Sequence, residues 1–294
     1  MGELEELRSL MEQEEERLCR LAVGVARWAD GVLSHWPQPD VQEFLVGDPW
    51  LFLLRASVSR QAESLRISSA VFSQTGQAHL LGAFVRKSFE ELVWLKYLRT
   101  LPVDQRRKVV HAFAAFELGF LARGQLQSLG GKQMKKIGFE AKFIDALAAR
   151  GKESREELAE EAVNLGWAED GDGKFTPPSV ATLARSVGLS SEYQDVYDSS
   201  SRSVHFSISE SLRRGSVSDN GVTIFDQSLS TFEQNCFVID RQMAMISKLV
   251  MYAHEEVRGL ELNVRERPRR DGQLFYNPGK VPYLNVWDFR KLEP

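Results

Sequence analysis

Apolar residues recur along most of this chain in alternating steps of three and four, the period of one face of an α-helix. The stripe nearest the start has a single polar break, at Glu14. Its apolar members are Leu4, Leu7, Met11, Leu18, Leu21, Val25, Trp28 and Val32. A second long stripe lies on Phe232, Cys236, Ile239, Met243, Ile246, Val250 and Val257. Both stripes predict long amphipathic helices, and through either of them we expect the chain to form a homo-oligomer, specifically a homodimer.

Prolines, glycines and capping residues mark where the remaining helices begin and end. Pro102 is expected to stop one helix, and Asp104 to cap the next. Ser179 is expected to cap a short helix that ends at Gly188. The stretch GSVSDNGVTIFD predicts a hairpin before the last helix. Because the other segments have helical periodicity nearly throughout, we predict an all-α fold, a helical bundle of the up-down or a related kind.

These patterns divide the chain into an N-terminal helix, a bundle domain and a tail. Residues 1–36 form the amphipathic N-terminal helix, and residues 45–262 form the helical bundle domain. Within that domain, residues 131–178 combine a lysine cluster with two short helices, and we interpret them as an insertion. The lysines of the cluster are Lys132, Lys135, Lys136 and Lys142. Residues 263–294 combine basic residues, prolines and aromatic residues, which predicts an irregular C-terminal tail.

Composition limits the classes of partner. With 43% apolar residues the chain can fill a substantial core. It carries 37 basic and 41 acidic side chains, so no global field draws it to nucleic acid or to anionic lipid. Any such binding must come from a local patch, such as the lysine cluster or the RERPRR sequence near the end.

Cysteine use and hydropathy indicate the compartment. Cys19 and Cys236 are far apart in sequence and form no metal or redox motif, which favours a reducing compartment. The N-terminus lacks the basic and apolar regions of a signal peptide, and no run approaches the roughly 18 apolar residues of a membrane span. We therefore predict a cytoplasmic protein with no membrane partner, no cofactor and no metal site.

Four polar side chains with a spacing of four residues are the first candidate site: Tyr193, Tyr197, Ser201 and His205. On a helix this spacing places them one turn apart along one side, at the edge of an apolar stripe. Buried polar groups need partners, so these side chains either make hydrogen bonds within the core or form a functional site. In the second case His205 is the candidate general acid or base, with a hydroxyl one turn below to orient it.

A second candidate lies on another predicted helix, where Arg86 precedes Glu90 by one turn. One interpretation is a structural ion pair within the helix. The other is that further partners are needed, because Arg before Glu is the weaker orientation of such a pair and buried charges are costly. The candidate partners are a ligand phosphate and the hydroxyls of the first candidate site. Lys87 and Glu91, on the next face, are expected to form a solvated pair.

Together, Arg86-x-x-x-Glu90 and Tyr193-x-x-x-Tyr197-x-x-x-Ser201-x-x-x-His205, the latter after a LARSVGL stretch, resemble a bacterial all-helical family catalogued as a domain of unknown function. The resemblance covers roughly residues 45–215. It implies a helical fold and no particular activity.

More distantly, the architecture is similar to that of HEPN proteins, helical bundles that often dimerise. Many of them are metal-independent ribonucleases in toxin–antitoxin and phage-defence systems, with an Arg and a His four to six residues apart on one helix. Here only two residues separate Arg202 from His205, so analogous chemistry requires Arg86 from a neighbouring helix. The resemblance then implies that His205 transfers protons, that Arg86 binds phosphate, that Ser201 and Tyr197 orient the imidazole, and that Glu90 holds Arg86.

Two function classes follow from these observations. The first expectation is a non-catalytic helical module that binds a protein partner or a small nucleotide, in bacterial defence or the stress response. In that case the four polar side chains form a hydrogen-bonded contact between helices. The alternative is the HEPN-like ribonuclease, which needs no metal because the 2′-hydroxyl of RNA is the nucleophile.

Overall fold

The computed structural model of the chain describes residues 2–36, 49–75, 78–167, 177–204, 215–217, 223–225, 229–257 and 260. Within these residues the backbone forms eight α-helices and one two-stranded hairpin. The helices are α1 (Gly2–His35), α2 (Pro49–Thr75), α3 (Ala78–Thr100), α4 (Val103–Lys136), α5 (Ala141–Asn164), α6 (Val180–Ser186), α7 (Ser190–Val204) and α8 (Leu229–Glu256). The prediction of an all-α fold is confirmed.

The hairpin predicted before the last helix is also present. Its strands are β1 (Gly215–Val217) and β2 (Thr223–Phe225), which pair antiparallel with Ser216 opposite Ile224. The predicted tail, residues 263–294, lies outside the described residues. Across the ranges that are described, every helix is too short or too polar to span a membrane.

Two helix starts test the capping predictions. The prediction that Asp104 caps α4 is wrong, since α4 begins directly after Pro102 and no side chain caps it. Proline has a fixed φ and no N–H to satisfy, which suits it to the start of a helix. Asp104 instead lies in the first turn and pairs with Arg107 at 2.6 Å. Ser179 caps α6 as predicted, because its hydroxyl accepts the backbone N–H of Thr182 at 3.2 Å.

The chain separates into two compact units. Unit 1 consists of Met1–Gln38, Leu53–Val93 and Gly188–Pro294, and unit 2 consists of Pro39–Phe52 and Trp94–Val187. Unit 1 therefore contains α1, α7 and α8 together with most of α2 and α3. Unit 2 contains α4, α5 and α6.

In unit 1, α1 and α8 pack against each other. All seven residues of the predicted α8 stripe are buried. On α1 the buried apolar residues are Leu18, Ala22, Val25, Ala26, Trp28, Ala29 and Val32. Glu14, the polar break, is also buried and pairs with Arg17 at 2.5 Å. Both stripes thus bury apolar surface within one chain, and the homodimer stays a prediction.

In unit 2, α4 and α5 form a closely packed helical hairpin. Their backbones approach closely at two glycines: a Cβ placed on Gly119 would lie 3.0 Å from the Cα of Gly151. Nearer the connection, Met134 is buried against Ala122 and Ile144. α4 is interrupted at Gly130, whose φ of 71° and ψ of 158° are accessible to glycine almost alone.

An aromatic cluster completes the core of unit 2. The Trp94 ring packs edge-on against Tyr97, Phe113 and Trp167, with centroid distances of 6.1, 5.5 and 6.4 Å. The indole N–H of Trp167 donates to the Tyr97 hydroxyl at 2.8 Å. Burial raises the pKa of Tyr97, and the hydrogen bond from Trp167 opposes that shift.

Candidate functional site

Arg86 connects α3 to α7 within unit 1. Its Nε donates to Oε1 of Glu90, one turn further along α3, at 3.1 Å. Its Nη2 donates to the hydroxyl of Tyr197 on α7. The guanidinium carbon also lies 4.2 Å from the centroid of the Tyr197 ring. One arginine therefore interacts with a carboxylate, a phenol hydroxyl and an aromatic face.

The aromatic side of this site is built from α7. Tyr193 and Tyr197 are one helical turn apart, and their rings stack with centroids 4.6 Å apart and planes inclined by 21°. Tyr193 also faces the buried ring of Phe89 on α3, at a centroid distance of 6.4 Å. We refer to Arg86, Glu90, Tyr193 and Tyr197 as the Arg86 cluster.

The Arg86 cluster lies at the border between core and solvent. The side chain of Arg86 is 17% exposed and that of Glu90 is 27% exposed. At this depth charge–charge attraction is less screened than in water, while solutes still have access. Its groups can bind and position an anion or another side chain. Among the four side chains of the first candidate site, the one suited to proton transfer near neutral pH is His205, which lies outside the described residues.

Two ion pairs hold α7 against α8. Lys248 pairs with Glu192 at 3.3 Å, and Arg241 pairs with Asp195 at 3.8 Å. Burial acts to raise the pKa of Glu192. Hydrogen bonds from its own backbone, from the Ser191 hydroxyl and from Lys248 outweigh burial, so this pKa lies below its usual value. The carboxylate is therefore ionised at neutral pH and favours the attachment of α7 to α8.

Three of the five predicted site residues meet in the structure: Arg86, Glu90 and Tyr197. The partner of the Arg86–Glu90 pair is thus a hydroxyl from the first candidate site, which is one of the two partners that the sequence predicts. The side chain of Ser201 and the whole of His205 lie outside the described residues. The approach of His205 to Arg86 and the catalytic roles therefore stay predictions.

The expectation of a solvated pair at Lys87 and Glu91 is wrong for Glu91. The Glu91 side chain is only 11% exposed and pairs with Arg60 of α2 at 3.1 Å. It also accepts a hydrogen bond from Gln61 at 3.4 Å, and Gln61 donates to the backbone carbonyl of Ser88 at 3.1 Å. α2 packs on this face of α3, so the carboxylate is desolvated and bound. The sequence signal for this contact is weak, because Arg60 and Gln61 are two of many polar residues along α2.

No metal site accompanies the cluster in the part of the chain that is described, since no three His, Cys, Asp or Glu side chains are grouped there to bind one ion.

Comparison with known proteins identifies the family. A family model matches residues 56–222, more than half of the chain. The chain belongs to the Family of unknown function (DUF5677). The predicted resemblance to an uncharacterised helical family is confirmed.

The match to DUF5677 runs from within α2 to the hairpin, so it includes the whole Arg86 cluster. No curated protein and no solved structure matches the chain. Membership of DUF5677 carries no activity, and the HEPN-like relationship stays a prediction.

Proposed function

We propose that this chain is a non-catalytic helical module that binds a protein partner or a small nucleotide, with a role in bacterial defence or the stress response. The supporting observation is that the guanidinium of Arg86 is engaged by Glu90 and Tyr197 of its own chain. An arginine that binds a ligand phosphate as a fork directs two adjacent donors at the ligand. Here Nε and Nη2 are directed at protein groups instead.

The energies of these contacts favour a structural role for the Arg86 cluster. A hydrogen bond to a charged group contributes about 1.5–3 kcal/mol. The contact of the guanidinium with the Tyr197 ring adds about 0.5–2 kcal/mol, depending on desolvation. A ligand that took Arg86 from these partners would have to replace both. The cluster therefore holds α3 against α7, so that the surface these two helices present is already formed before a partner binds.

The experiment compares the thermal stability of Tyr197→Phe and Arg86→Ala with the wild type. Tyr197→Phe removes the hydroxyl but keeps the stacked ring, and we expect unfolding to become easier by about 1.5–3 kcal/mol. Lys87→Ala is the matched control, because Lys87 is the exposed neighbour of Arg86 on the same helix. We expect its Tm to stay within about 1 °C of the wild type, since such surface changes are nearly neutral.

Catalysis is tested with one further variant, His205→Ala. Purified wild type and His205→Ala are incubated with total RNA in EDTA, and we expect no cleavage by either. Cleavage by the wild type that persists in EDTA and is lost in His205→Ala would refute the non-catalytic proposal.

Nucleotide binding is tested by thermal shift with nucleoside mono-, di- and triphosphates, because a ligand at 100 times its Kd stabilises the folded state by about 2.7 kcal/mol.

A second candidate is the HEPN-like metal-independent ribonuclease. The observation that favours it is the contact between Arg86 and α7, since α7 ends at Val204 and the next residue is His205. In this candidate His205 takes the proton of the 2′-hydroxyl, whose oxygen attacks phosphorus to give a 2′,3′-cyclic phosphate. The bond from phosphorus to the 5′-oxygen breaks, that oxygen takes a proton from water, and Arg86 stabilises the charged phosphorane. Loss of EDTA-resistant cleavage in both His205→Ala and Arg86→Ala, with Lys87→Ala fully active, is the result this candidate requires.

A further inference from the structure

The end of the α4–α5 hairpin, residues 129–143, presents apolar side chains to solvent. We refer to this segment as the hairpin tip. Four of its large apolar residues are between about a third and a half exposed: Leu129 at 42%, Ile137 at 47%, Phe139 at 38% and Phe143 at 49%. Exposed large side chains grouped in one short segment mark an interaction site more often than isolated ones do.

The hairpin tip has a defined conformation. The break at Gly130 starts a short helical stretch from which Met134 is buried in the hairpin core. The backbone N–H of Phe139 donates to the carbonyl of Met134 at 3.0 Å, which fixes the connection that follows. On a helix, residues two positions before and after Met134 point about 160° away from it. Lys132 and Lys136 therefore face outward, and both are exposed.

The charge of the hairpin tip is opposite to that of the whole chain. Residues 129–143 contain the four lysines of the predicted cluster and one glutamate, a net charge of +3, whereas the chain as a whole carries −4. The glutamate is Glu140, which pairs with Lys142 at 2.9 Å. Lys135 is exposed as well, so the positive charge is available at the surface beside the exposed apolar side chains.

We propose that the hairpin tip docks on the surface of an anionic lipid bilayer. Exposed aromatic and aliphatic side chains flanked by lysines match the interfacial region of a membrane, where apolar groups enter the acyl boundary and ammonium groups remain at the headgroups. Lysines near an anionic leaflet add a favourable, salt-sensitive attraction. Docking of this kind needs no spanning helix, and it would overturn the expectation from hydropathy that the chain has no membrane partner. It goes beyond the proposed partner or nucleotide binding, which concerns unit 1.

The composition of the hairpin tip favours lipid over nucleic acid. Leu129 and Ile137 have no aromatic face on which a base could stack. The rings of Phe139 and Phe143 lie beside each other, with centroids 6.1 Å apart and planes inclined by 25°, so they present one joint apolar surface. The basic residues of the hairpin tip are all lysines, which act as point charges, whereas arginine is the usual residue for bidentate recognition of phosphates and bases.

The test is co-sedimentation of the full chain with vesicles of phosphatidylcholine alone and of phosphatidylcholine with 30% phosphatidylglycerol. We expect binding to the anionic vesicles, little binding to the neutral ones, and weaker binding as salt is raised. Lys132→Gln with Lys136→Gln should lower the partition coefficient roughly 20–30-fold, from about fivefold per lysine. The matched control neutralises two exposed lysines outside the hairpin tip, Lys87→Gln with Lys152→Gln, and should bind nearly as well as the wild type.

A second variant tests the apolar part. Phe139→Ser with Phe143→Ser should lower binding at least tenfold, whereas Phe120→Ser, which changes an exposed phenylalanine elsewhere on α4, should not. Circular dichroism establishes that each variant is folded.

Three outcomes would overturn the proposal: no binding of the wild type to anionic vesicles, equal binding to neutral vesicles, or binding unchanged in both hairpin-tip variants. Binding of a fluorescent single-stranded RNA that is lost in the same variants, without vesicle binding, would assign the surface to nucleic acid instead.

Discussion

The crossing of α4 and α5 gives a direct test of the packing in unit 2. Gly119 of α4 faces the backbone of α5, and a Cβ at this position would lie 2.9 Å from the carbonyl oxygen of Leu147 and 3.0 Å from the Cα of Gly151. Both neighbours are backbone atoms, which cannot turn aside as a side chain can. Gly119→Ala must therefore push the two helices apart or bend one of them.

The loss of stability in Gly119→Ala is estimated by comparison with Gly124→Ala. Gly124 lies on the same helix, and an added Cβ there would meet no atom within 4 Å. Gly124→Ala should stabilise the protein by about 0.5–1 kcal/mol, because alanine is the better helix former. Gly119→Ala gains the same propensity but loses about 1–3 kcal/mol to overpacking. The propensity term cancels between the two variants. Gly119→Ala should therefore be less stable than Gly124→Ala by about 1–3 kcal/mol.

The assay is urea denaturation followed by circular dichroism at 222 nm, with hydrogen exchange of peptides from both helices to localise the effect. We expect faster exchange in the α4 and α5 peptides of Gly119→Ala, and no such change in Gly124→Ala. Equal stability of the two alanine variants, with unchanged exchange across the crossing, would show that the helices are not in backbone contact at Gly119.

Three further changes test other parts of the fold. Gly130→Ala, at a φ of 71° and ψ of 158°, should destabilise by about 1–3 kcal/mol in chemical denaturation, although a Cβ there meets no neighbour. Ser179→Ala removes the hydroxyl that caps α6 and should cost about 0.5–2 kcal/mol by the same measurement. Lys248→Met removes one of the groups that lower the pKa of Glu192. Because a depressed carboxyl pKa contributes stability above the unfolded pKa of about 4.3, the loss from Lys248→Met should be up to about 1 kcal/mol at pH 7 and should disappear as the pH falls through the folded-state pKa of Glu192.

The long helices could be predicted from sequence because a helix that is buried along one face has apolar residues at a regular spacing. The seven apolar residues predicted on α8 are all buried, and on α1 the members Leu18, Val25, Trp28 and Val32 are buried as well. The apolar spacing did not predict that Ala22, Ala26 and Ala29 of α1 belong to the core. All three are completely buried. Alanine occurs on all faces of helices, so its position carries little information until the neighbouring helix is known.

Details that depend on a second element could not be derived from one segment. Asp104 is a favourable capping residue, yet Pro102 starts α4 earlier. Glu91 has the spacing of a surface ion pair with Lys87, but α2 covers its face and supplies Arg60. In each case the local rule was sound, and a tertiary contact or a preceding residue determined the outcome.

The Arg86 cluster shows that an unfavourable order of charged residues within one helix can indicate a contact with another helix. Arg before Glu is the weaker order for a pair on one helix, because it opposes the helix dipole. A partly buried pair in that order needs a third group, and the structure supplies the hydroxyl of Tyr197, 111 positions away in sequence. The stacking of Tyr193 on Tyr197 restricts the ring that carries this hydroxyl, so less conformational freedom is lost when the hydroxyl accepts from the guanidinium. The spacing of four along α7 therefore has a structural cause at Tyr193 and Tyr197, whatever the role of His205 further along the same sequence.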